Sequence, residues 1–293
     1  MPGRQPILCV GAALWDVIGR AERPLPLGGD VPGRVIRRPG GVALNVAFAL
    51  AALGQRVTLL AAVGDDDAGE ALARRVAAAG VDTAGVFRYA GATDTYVAIE
   101  DERGELHAAV ADCAGLEAAG AAVLAPLRDG RLPAPWPGRI VADGNLPASV
   151  LAELLDRASD PGSLALVPAS PGKASLLGPL SAGRPLAVYV NRLEAEVFCG
   201  ARFENSRAAA AALRARGAAA AIVTDGAAPA TAATAEAVVT LAPPAVRKRR
   251  SVTGAGDAFV AAHLVALAAG HGPEPALAAA LEAAARHLTG RPT

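Results

Sequence analysis

The stretch Ser251-Val252-Thr253-Gly254-Ala255-Gly256-Asp257-Ala258-Phe259 leads a glycine loop directly into an apolar helix. Small residues let backbone N–H groups come close together at a helix start, where unpaired donors and the helix dipole suit a phosphate or a developing oxyanion. A carboxylate beside such a cradle is electrostatically unfavourable, so Asp257 is interpreted as a base that takes a proton from an attacking hydroxyl. The alternative is that Asp257 only caps the helix, since Asp is favoured at that position.

A second stretch, Arg38-Pro39-Gly40-Gly41-Val42-Ala43-Leu44-Asn45-Val46-Ala47, also places paired glycines before an apolar helix. Gly40 and Gly41 allow a ligand to approach the backbone, and Asn45 offers an amide donor and a carbonyl acceptor one turn into the helix. These groups suit a sugar. Taken alone, the motif is better explained by a tight turn followed by a helical Asn with satisfied hydrogen bonds.

Together the two stretches resemble the paired signatures of the ribokinase-like (PfkB) carbohydrate and nucleoside kinases. Three further matches follow in the family's order: Val63-Gly64-Asp65-Asp66, Asn191-Arg192-Leu193-Glu194 and Thr224-Asp225-Gly226. The resemblance covers nearly the whole chain. It implies a single kinase domain over 1–293, with a three-layer α/β/α fold, a mostly parallel central sheet and a small β lid.

Within the family, several details look like the pseudouridine kinase branch, including Asp16-Val17-Ile18-Gly19-Arg20, Pro32-Gly33-Arg34 and Val252-Thr253. The implied reaction is the ATP-dependent phosphorylation of the pseudouridine 5′-hydroxyl. Leu14 and Val167 depart from this pattern, because they replace an Asn and an acid expected at those positions. Phosphorylation of ribose, a nucleoside or another sugar, and a degenerate member that binds without turnover, therefore stay open as alternatives.

The resemblance also implies a role for each matching position. The catalytic group comprises the general base and the N–H groups that stabilise the moving phosphate: Asp257, Gly254, Ala255 and Gly256. The substrate side comprises Asp16, Gly40, Gly41, Asn45 and Lys173. The nucleotide side comprises Thr224, Gly226 and Thr253. ATP is the implied cosubstrate, and Mg²⁺ is arranged through water by Asn191 and Glu194, an acid and amide pair whose spacing also fits a helix-capping box.

Some positions are less specific. Glu196 is interpreted as solvated surface. Ser251 replaces the acid that supports a monovalent cation in many relatives, so potassium activation is not implied. The basic run at 247–250 is interpreted as a solvated strand end, with a cation near the ATP phosphates as the alternative.

Composition limits the partners. Lys+Arg and Asp+Glu both total 28, and aromatic residues make up 3% of the chain, which argues against binding a nucleic-acid polymer. Hydrophobic residues make up 53%, much of it alanine, yet no apolar run approaches the length of a membrane span. Three widely spaced cysteines fit reduced thiols in a cytoplasmic protein.

Short apolar strands alternate with alanine-rich helices, as at Val57–Val63 followed by Ala68–Gly80, and this pattern predicts a mostly parallel sheet. The run from Ile7 to Trp15 is interpreted as a buried first strand that Asp16 closes. By resemblance, segments at about 16–38 and 93–112 form the lid, which also serves as the surface of a homodimer.

Overall fold

The computed structural model of the protein describes residues 5–160, 163–170, 172, 186–246 and 254–290. Among the sequence-predicted positions, Lys173, Thr253 and the basic run at 247–250 lie outside these ranges. The remaining predicted site residues all lie within them.

Strands and helices follow one another through the described ranges. The strands are β1 Ile7–Val10, β2 Leu14–Ala21, β3 Gly33–Gly40, β4 Val57–Leu60, β5 Ala62–Gly64, β6 Phe87–Tyr89, β7 Thr95–Glu100, β8 Leu106–Asp112, β9 Arg139–Asp143, β10 Leu164–Val167, β11 Ala187–Asn191, β12 Ala220–Asp225, β13 Ala228–Ala233 and β14 Val238–Leu241. The helices are α1 Val42–Ala52, α2 Asp67–Ala78, α3 Gly115–Ala119, α4 Ala125–Arg128, α5 Ala148–Asp156, α6 Arg192–Cys199, α7 Ser206–Ala215, α8 Ala255–Ala268 and α9 Pro273–Thr289.

The main sheet has the strand order β14-β13-β12-β11-β10-β9-β1-β4. Strands from β4 to β12 in this order pair in parallel, and β13 and β14 add an antiparallel edge. Strands β1, β4 and β10 are short apolar runs buried along their whole length, as expected for parallel strands covered by helices. The predicted mostly parallel α/β fold is confirmed.

Helices cover both faces of this sheet, and successive residues of a strand divide between two cores. In β1, Leu8 and Val10 pack in a core with α5 and α7, whereas Ile7 and Cys9 pack in a core with α1 and α8. The alternation follows from the twofold period of a strand. The result is the three-layer α/β/α arrangement that the resemblance implied.

A second sheet of four strands, in the order β3-β2-β7-β8, stands apart from the main sheet. Its β2–β3 and β7–β8 pairs are antiparallel, and β2 pairs with β7 in parallel. Several large apolar side chains on it are exposed: Val35, Ile36, Val97, Ile99, Leu106 and Val110. We call this element the small sheet.

Two sequence-based boundaries are wrong. The run from Ile7 to Trp15 is not one strand, because β1 ends at Val10 and Gly11, at φ 152°, redirects the chain into the small sheet. Asp16 therefore lies within β2 and does not close the first strand. The stretch Val57–Val63 likewise divides into β4 and β5, and β5 pairs with β6 in a separate two-stranded sheet.

Within the described part of the chain, no helix combines the length and the apolar character needed to cross a membrane.

Candidate active site

A cavity of about 580 Å³ lies where the carboxyl ends of the parallel strands meet the small sheet and the first turns of α1 and α8. Open α/β sheets bind ligands at this end. The predicted site residues that line it come from both ends of the sequence: Asp16, Gly41, Asn45, Asn191, Glu194, Thr224, Gly254, Gly256 and Asp257. Residues more than two hundred positions apart in the chain are thus brought together.

Asp257 lies in the first turn of α8 and faces Asn45 of α1. Its carboxylate accepts a hydrogen bond from the Asn45 side chain. Removal from water raises the pKa of Asp257 to about 7, the Asn45 hydrogen bond opposes that rise, and the negative charges of Asp143 and Asp16 add to it. A carboxyl that titrates near neutral pH is suited to accept a proton from a hydroxyl.

The alternative in which Asp257 only caps the helix is not what the structure shows. The N-cap of α8 is Gly254, in a left-handed conformation at φ 94°, and no side chain caps it. The first N–H groups of an α-helix have no acceptor within the helix, so those of Ala255, Gly256 and Asp257 are available to an anion. A Cβ added at Gly256 would meet nothing within 4 Å, which shows that this glycine borders open space.

The residues predicted for the substrate side cluster around Asp16, which is 6% exposed. Burial raises the pKa of Asp16, and the nearby Arg38 guanidinium, with its Nε 3.6 Å from Asp16 Oδ2, lowers it. Gly40 lies directly against the Asp16 carboxyl group, so a Cβ there would collide with it. Gly41 is at φ 100° and packs on the Ala12 carbonyl, so both glycines of the motif are required by backbone geometry.

Asn191 and Glu194 form the predicted capping box at the start of α6. The Glu194 N–H donates to Asn191 Oδ1 at 2.9 Å, and the Asn191 N–H donates to Glu194 Oε2 at 2.8 Å. Burial raises the pKa of Glu194 to about 7, while hydrogen bonds from the backbone and from the side chain of Asn191 lower it. The pair also lines the cavity, so a capping function and a ligand-facing function are compatible.

The interpretation of Glu196 as solvated surface is wrong. Its side chain is 6% exposed and pairs with Arg192 at 2.6 Å and Arg202 at 3.0 Å. Arg192 also holds both oxygens of Asp225 at 3.0 Å. This network fixes the start of α6 against the end of β12, where Thr224 lines the cavity and Gly226, at φ 60°, makes the following turn.

The residues of the α6 start fit a magnesium ion that keeps most of its water. Across the described ranges, no group of three or more His, Cys, Asp or Glu side chains could hold a metal directly. Mg²⁺ bound with a nucleotide commonly uses few protein ligands together with phosphates and waters. A single buried carboxylate beside an amide, as at Glu194 and Asn191, is consistent with that mode.

Sequence reasoning missed two residues beside the cavity. Asn145 lines it just beyond β9, and Tyr96 lines it from the small sheet. Asp143, the last residue of β9, is fully buried next to Asn145. A polar Asp-Gly-Asn sequence directly after an apolar strand is the signal that could have found Asp143 and Asn145.

Comparison with known proteins agrees with this geometry. The sequence profile described as pfkB family carbohydrate kinase matches residues 4–291. A solved carbohydrate kinase from Agrobacterium tumefaciens superposes with a TM-score of 0.78 at 30% identity, covering 96% of this chain and 90% of that chain. The fold is ribokinase-like, and the chain belongs to the pfkB family of carbohydrate kinases.

Two curated relatives match over shorter segments. The uncharacterized sugar kinase YeiI of Escherichia coli K12 is 36% identical over 143 residues, or 48% of this chain and 39% of the relative. The pseudouridine kinase of the same organism is 33% identical over 155 residues, or 53% of this chain and 49% of the relative. These alignments thus span less than half the length of the relatives.

Proposed function

We propose that this protein transfers the γ-phosphoryl group of ATP to a hydroxyl of a sugar or nucleoside, with the 5′-hydroxyl of pseudouridine as the first candidate. The observation that carries the proposal is the placement of Asp257. Its carboxylate is hydrogen-bonded to Asn45 beside the uncapped N-terminus of α8, in a cavity bounded by the small sheet. A base and an anion-stabilising cradle in one cavity suit phosphoryl transfer to an alcohol.

In the proposed reaction, Asp257 accepts the proton as the acceptor oxygen forms its bond to the γ-phosphorus. The bond from that phosphorus to the bridging oxygen breaks, and ADP leaves. Asn45 orients the carboxylate, and the N–H groups of Gly254, Ala255 and Gly256 stabilise charge on the phosphate oxygens. Asp16 binds substrate hydroxyls, with Gly40 and Gly41 giving the backbone room to approach.

On the donor side, we place the nucleotide against Thr224 and Gly226, and Thr253 and Lys173 keep the roles that the resemblance implies. Asn191 and Glu194 would hold Mg²⁺ through water. The ion supplies neutralising charge to the phosphates when bound. Closure of the small sheet over the site would exclude water, which otherwise competes with the acceptor for the phosphoryl group.

The choice of pseudouridine rests on the similarity over half the chain to a pseudouridine kinase and on the sequence details shared with that branch. Leu14 and Val167 also line the cavity and make part of its wall apolar. Because two polar groups expected there are absent, ribose, uridine or another sugar is the second candidate acceptor.

The test is to incubate the protein with ATP and Mg²⁺ and each of pseudouridine, uridine, ribose and fructose 6-phosphate. ADP formation and phosphorylated product are both measured. Turnover of pseudouridine above the others supports the first candidate, and preferential turnover of another acceptor supports the second. Binding of acceptors without product from any of them would favour a non-catalytic member of the fold and contradict the proposal.

We also propose that two copies associate through the small sheet. Val35 and Val110 are 73% and 69% exposed there, and β3 and β8 are its edge strands. Exposed apolar side chains gathered on one sheet mark an interaction surface. A cytoplasmic location belongs to the same proposal, since ATP is the cosubstrate, and the balanced charge gives no attraction for nucleic acid or anionic membranes.

A further inference from the structure

Asp143 accepts four hydrogen bonds from three separate segments of the chain. Its Oδ2 receives the N–H of Ala12 at 2.9 Å and the N–H of Ala43 at 3.2 Å. Its Oδ1 receives the backbone N–H and the side-chain amide of Asn145, both at 2.8 Å. The carboxylate is completely inaccessible to solvent.

One of these bonds replaces a missing helix cap. The N-cap of α1 is Gly41, which has no side chain to accept the helix's first N–H groups. Asp143 supplies that acceptor from β9, one hundred residues away in sequence. Gly11 permits the approach, because a Cβ at that position would collide with the Asp143 side chain.

Each tethered segment carries a polar side chain of the cavity. Asp16, which lies on β2, comes shortly after Ala12 in the chain. Asn45 comes shortly after Ala43 on α1, and Asn145 is itself a partner of Asp143. Asp143 does not line the cavity. We infer that Asp143 is the positioning residue that holds these three side chains in register for the phosphoryl acceptor, an inference that rests on the proposed function.

The four hydrogen bonds indicate that Asp143 is ionised when it holds these segments. An ionised carboxylate offers about four acceptor positions, and all four are filled by N–H donors. Burial raises the pKa of Asp143, and the hydrogen bonds from Asn145, Ala12 and Ala43 oppose that rise. A proton on either oxygen would displace one of the donors, so the arrangement requires the anion.

Asp143 also sets the orientation of the Asn145 amide. The amide nitrogen donates to Asp143, which leaves the carbonyl oxygen of Asn145 to act as an acceptor for the ligand. A hydroxyl or a ring N–H of the substrate is the matching donor. Through one buried carboxylate, the protein thus controls the hydrogen-bonding character of a residue at the cavity wall.

The kinetic test is Asp143→Asn, which keeps the size but places an N–H₂ group against N–H donors. We expect kcat/KM for the phosphoryl acceptor to fall by about 100-fold, because displaced positioning groups cost this much. KM for ATP should change by less than about twofold, since the nucleotide side has no bond to Asp143. An equal loss on both substrates, or no loss, would overturn the inference.

The matched control is Asn205→Ala, which removes the N-cap bond to Ala208 at α7, away from the cavity. It should lower stability without changing either kinetic constant. A second variant, Asn145→Ala, keeps the bonds from Asp143 to Ala12 and Ala43. It should raise the acceptor KM by about tenfold, and it should lower the melting temperature, because the buried Asp143 carboxylate loses one of its donors. An unchanged acceptor KM would overturn the inference even if Asp143→Asn does not fold.

Amide hydrogen exchange of the ligand-free protein separates this inference from the proposed function. In Asp143→Asn the amides of Ala12 and Ala43 should exchange about tenfold faster than in the wild type, and in Asn205→Ala they should not. If the wild type phosphorylates no acceptor, the proposed function fails while the exchange result still decides whether Asp143 tethers the segments. Unchanged exchange at both amides would contradict the tether.

Discussion

Asp257 joins two properties that a single carboxyl seldom has, a place at a helix N-terminus and a pKa of about 7. Because the helix dipole favours the anion there, the raised pKa reflects burial and the neighbouring Asp143 and Asp16 charges. Only the ionised form can accept a proton. Activity should therefore increase with pH as Asp257 ionises.

We expect kcat/KM to rise about tenfold per pH unit below pH ~7 and to level off above it, as Asp257 loses its proton. The measurement is the pH profile of kcat/KM for the acceptor. Because the pKa of Glu194 is also about 7, the profile of Glu194→Gln is the control, and it should keep the limb that belongs to Asp257. A wild-type profile without that limb would contradict the assignment of the base.

Asp257→Asn should lower kcat by at least about 1,000-fold, because the proposed general base is lost. Stability should not fall. Because the pKa of Asp257 is higher in the folded protein than in the unfolded chain, ionisation of this residue lowers the free energy of unfolding as pH rises from the unfolded pKa toward 7. The neutral Asn has no such ionisation, so the variant avoids this loss. Melting temperature at pH 8 tests this, and a large decrease would indicate a structural role instead.

Gly256→Ala separates activity from stability at the neighbouring position. The methyl group enters open space beside the cradle, so phosphate binding should weaken and ATP KM should rise by about tenfold or more. Alanine in a helix is favoured over glycine by roughly 0.5–1 kcal/mol, so the variant should be more stable. The control is Gly272→Ala at the start of α9, which should leave ATP KM unchanged.

At the scale of elements, α8 is fixed to the main sheet by a buried polar pair. The Tyr189 hydroxyl of β11 lies 2.8 Å from His263 Nδ1, and Phe259 stacks on the imidazole. The Nε2 of His263 has no hydrogen-bond partner within the described residues. Burial lowers the pKa of His263 to about 4, with Arg139 adding to the shift. The helix that carries Asp257 therefore requires a neutral imidazole.

This pair predicts acid sensitivity. In the unfolded chain His263 takes up a proton below its ordinary pKa of about 6.5, whereas in the folded protein it stays neutral down to about pH 4. The free energy of unfolding should therefore fall by about 3 kcal/mol between pH 6.5 and 4. His263→Gln should remove this loss while keeping a partner for Tyr189. The check is denaturant unfolding of both proteins at several pH values. An exposed residue, in the variant His271→Gln, provides the control and should leave the pH dependence unaltered.

Element boundaries show where sequence reasoning reaches its limit. The apolar run at residues 7–15 has no internal polar residue, so periodicity could not divide it into β1 and β2. At the break the Asp143 side chain lies against Gly11 and leaves no room for a Cβ, a contact across 132 positions that the local sequence does not show. The capping box at Asn191 and Glu194 was predicted because all its parts are local, whereas the partners of Glu196 arise from tertiary packing.

At the scale of the whole molecule, the fold followed from the two glycine motifs and the family resemblance they carry. The cavity gathered most of the predicted site residues because those motifs lie at strand and helix ends that the topology brings to one edge of the sheet. The Asp-Gly-Asn sequence marks the position of Asp143, but the role inferred for this residue depends on partners 100 and 131 residues away. No local pattern shows those partners.

The exposed apolar face of the small sheet predicts the assembly state. The wild type should sediment as a dimer, and Val110→Lys should shift it toward monomer, because a buried lysine opposes association unless it is paired. The measurement is analytical ultracentrifugation over a range of concentrations. Val238→Lys, at an exposed position of β14 in the main sheet, is the matched control. A monomeric wild type would contradict the proposed interface.

The meeting of Asn45 and Asp257 has a consequence for synthesis on the ribosome. Translation produces α1 early, whereas α8 emerges after every strand of the main sheet has been made. A nascent chain can therefore complete much of its sheet before the two side chains can touch. The site can therefore be completed only near the end of translation. A chain truncated before α8 would contain the strands of the main sheet but would lack Asp257.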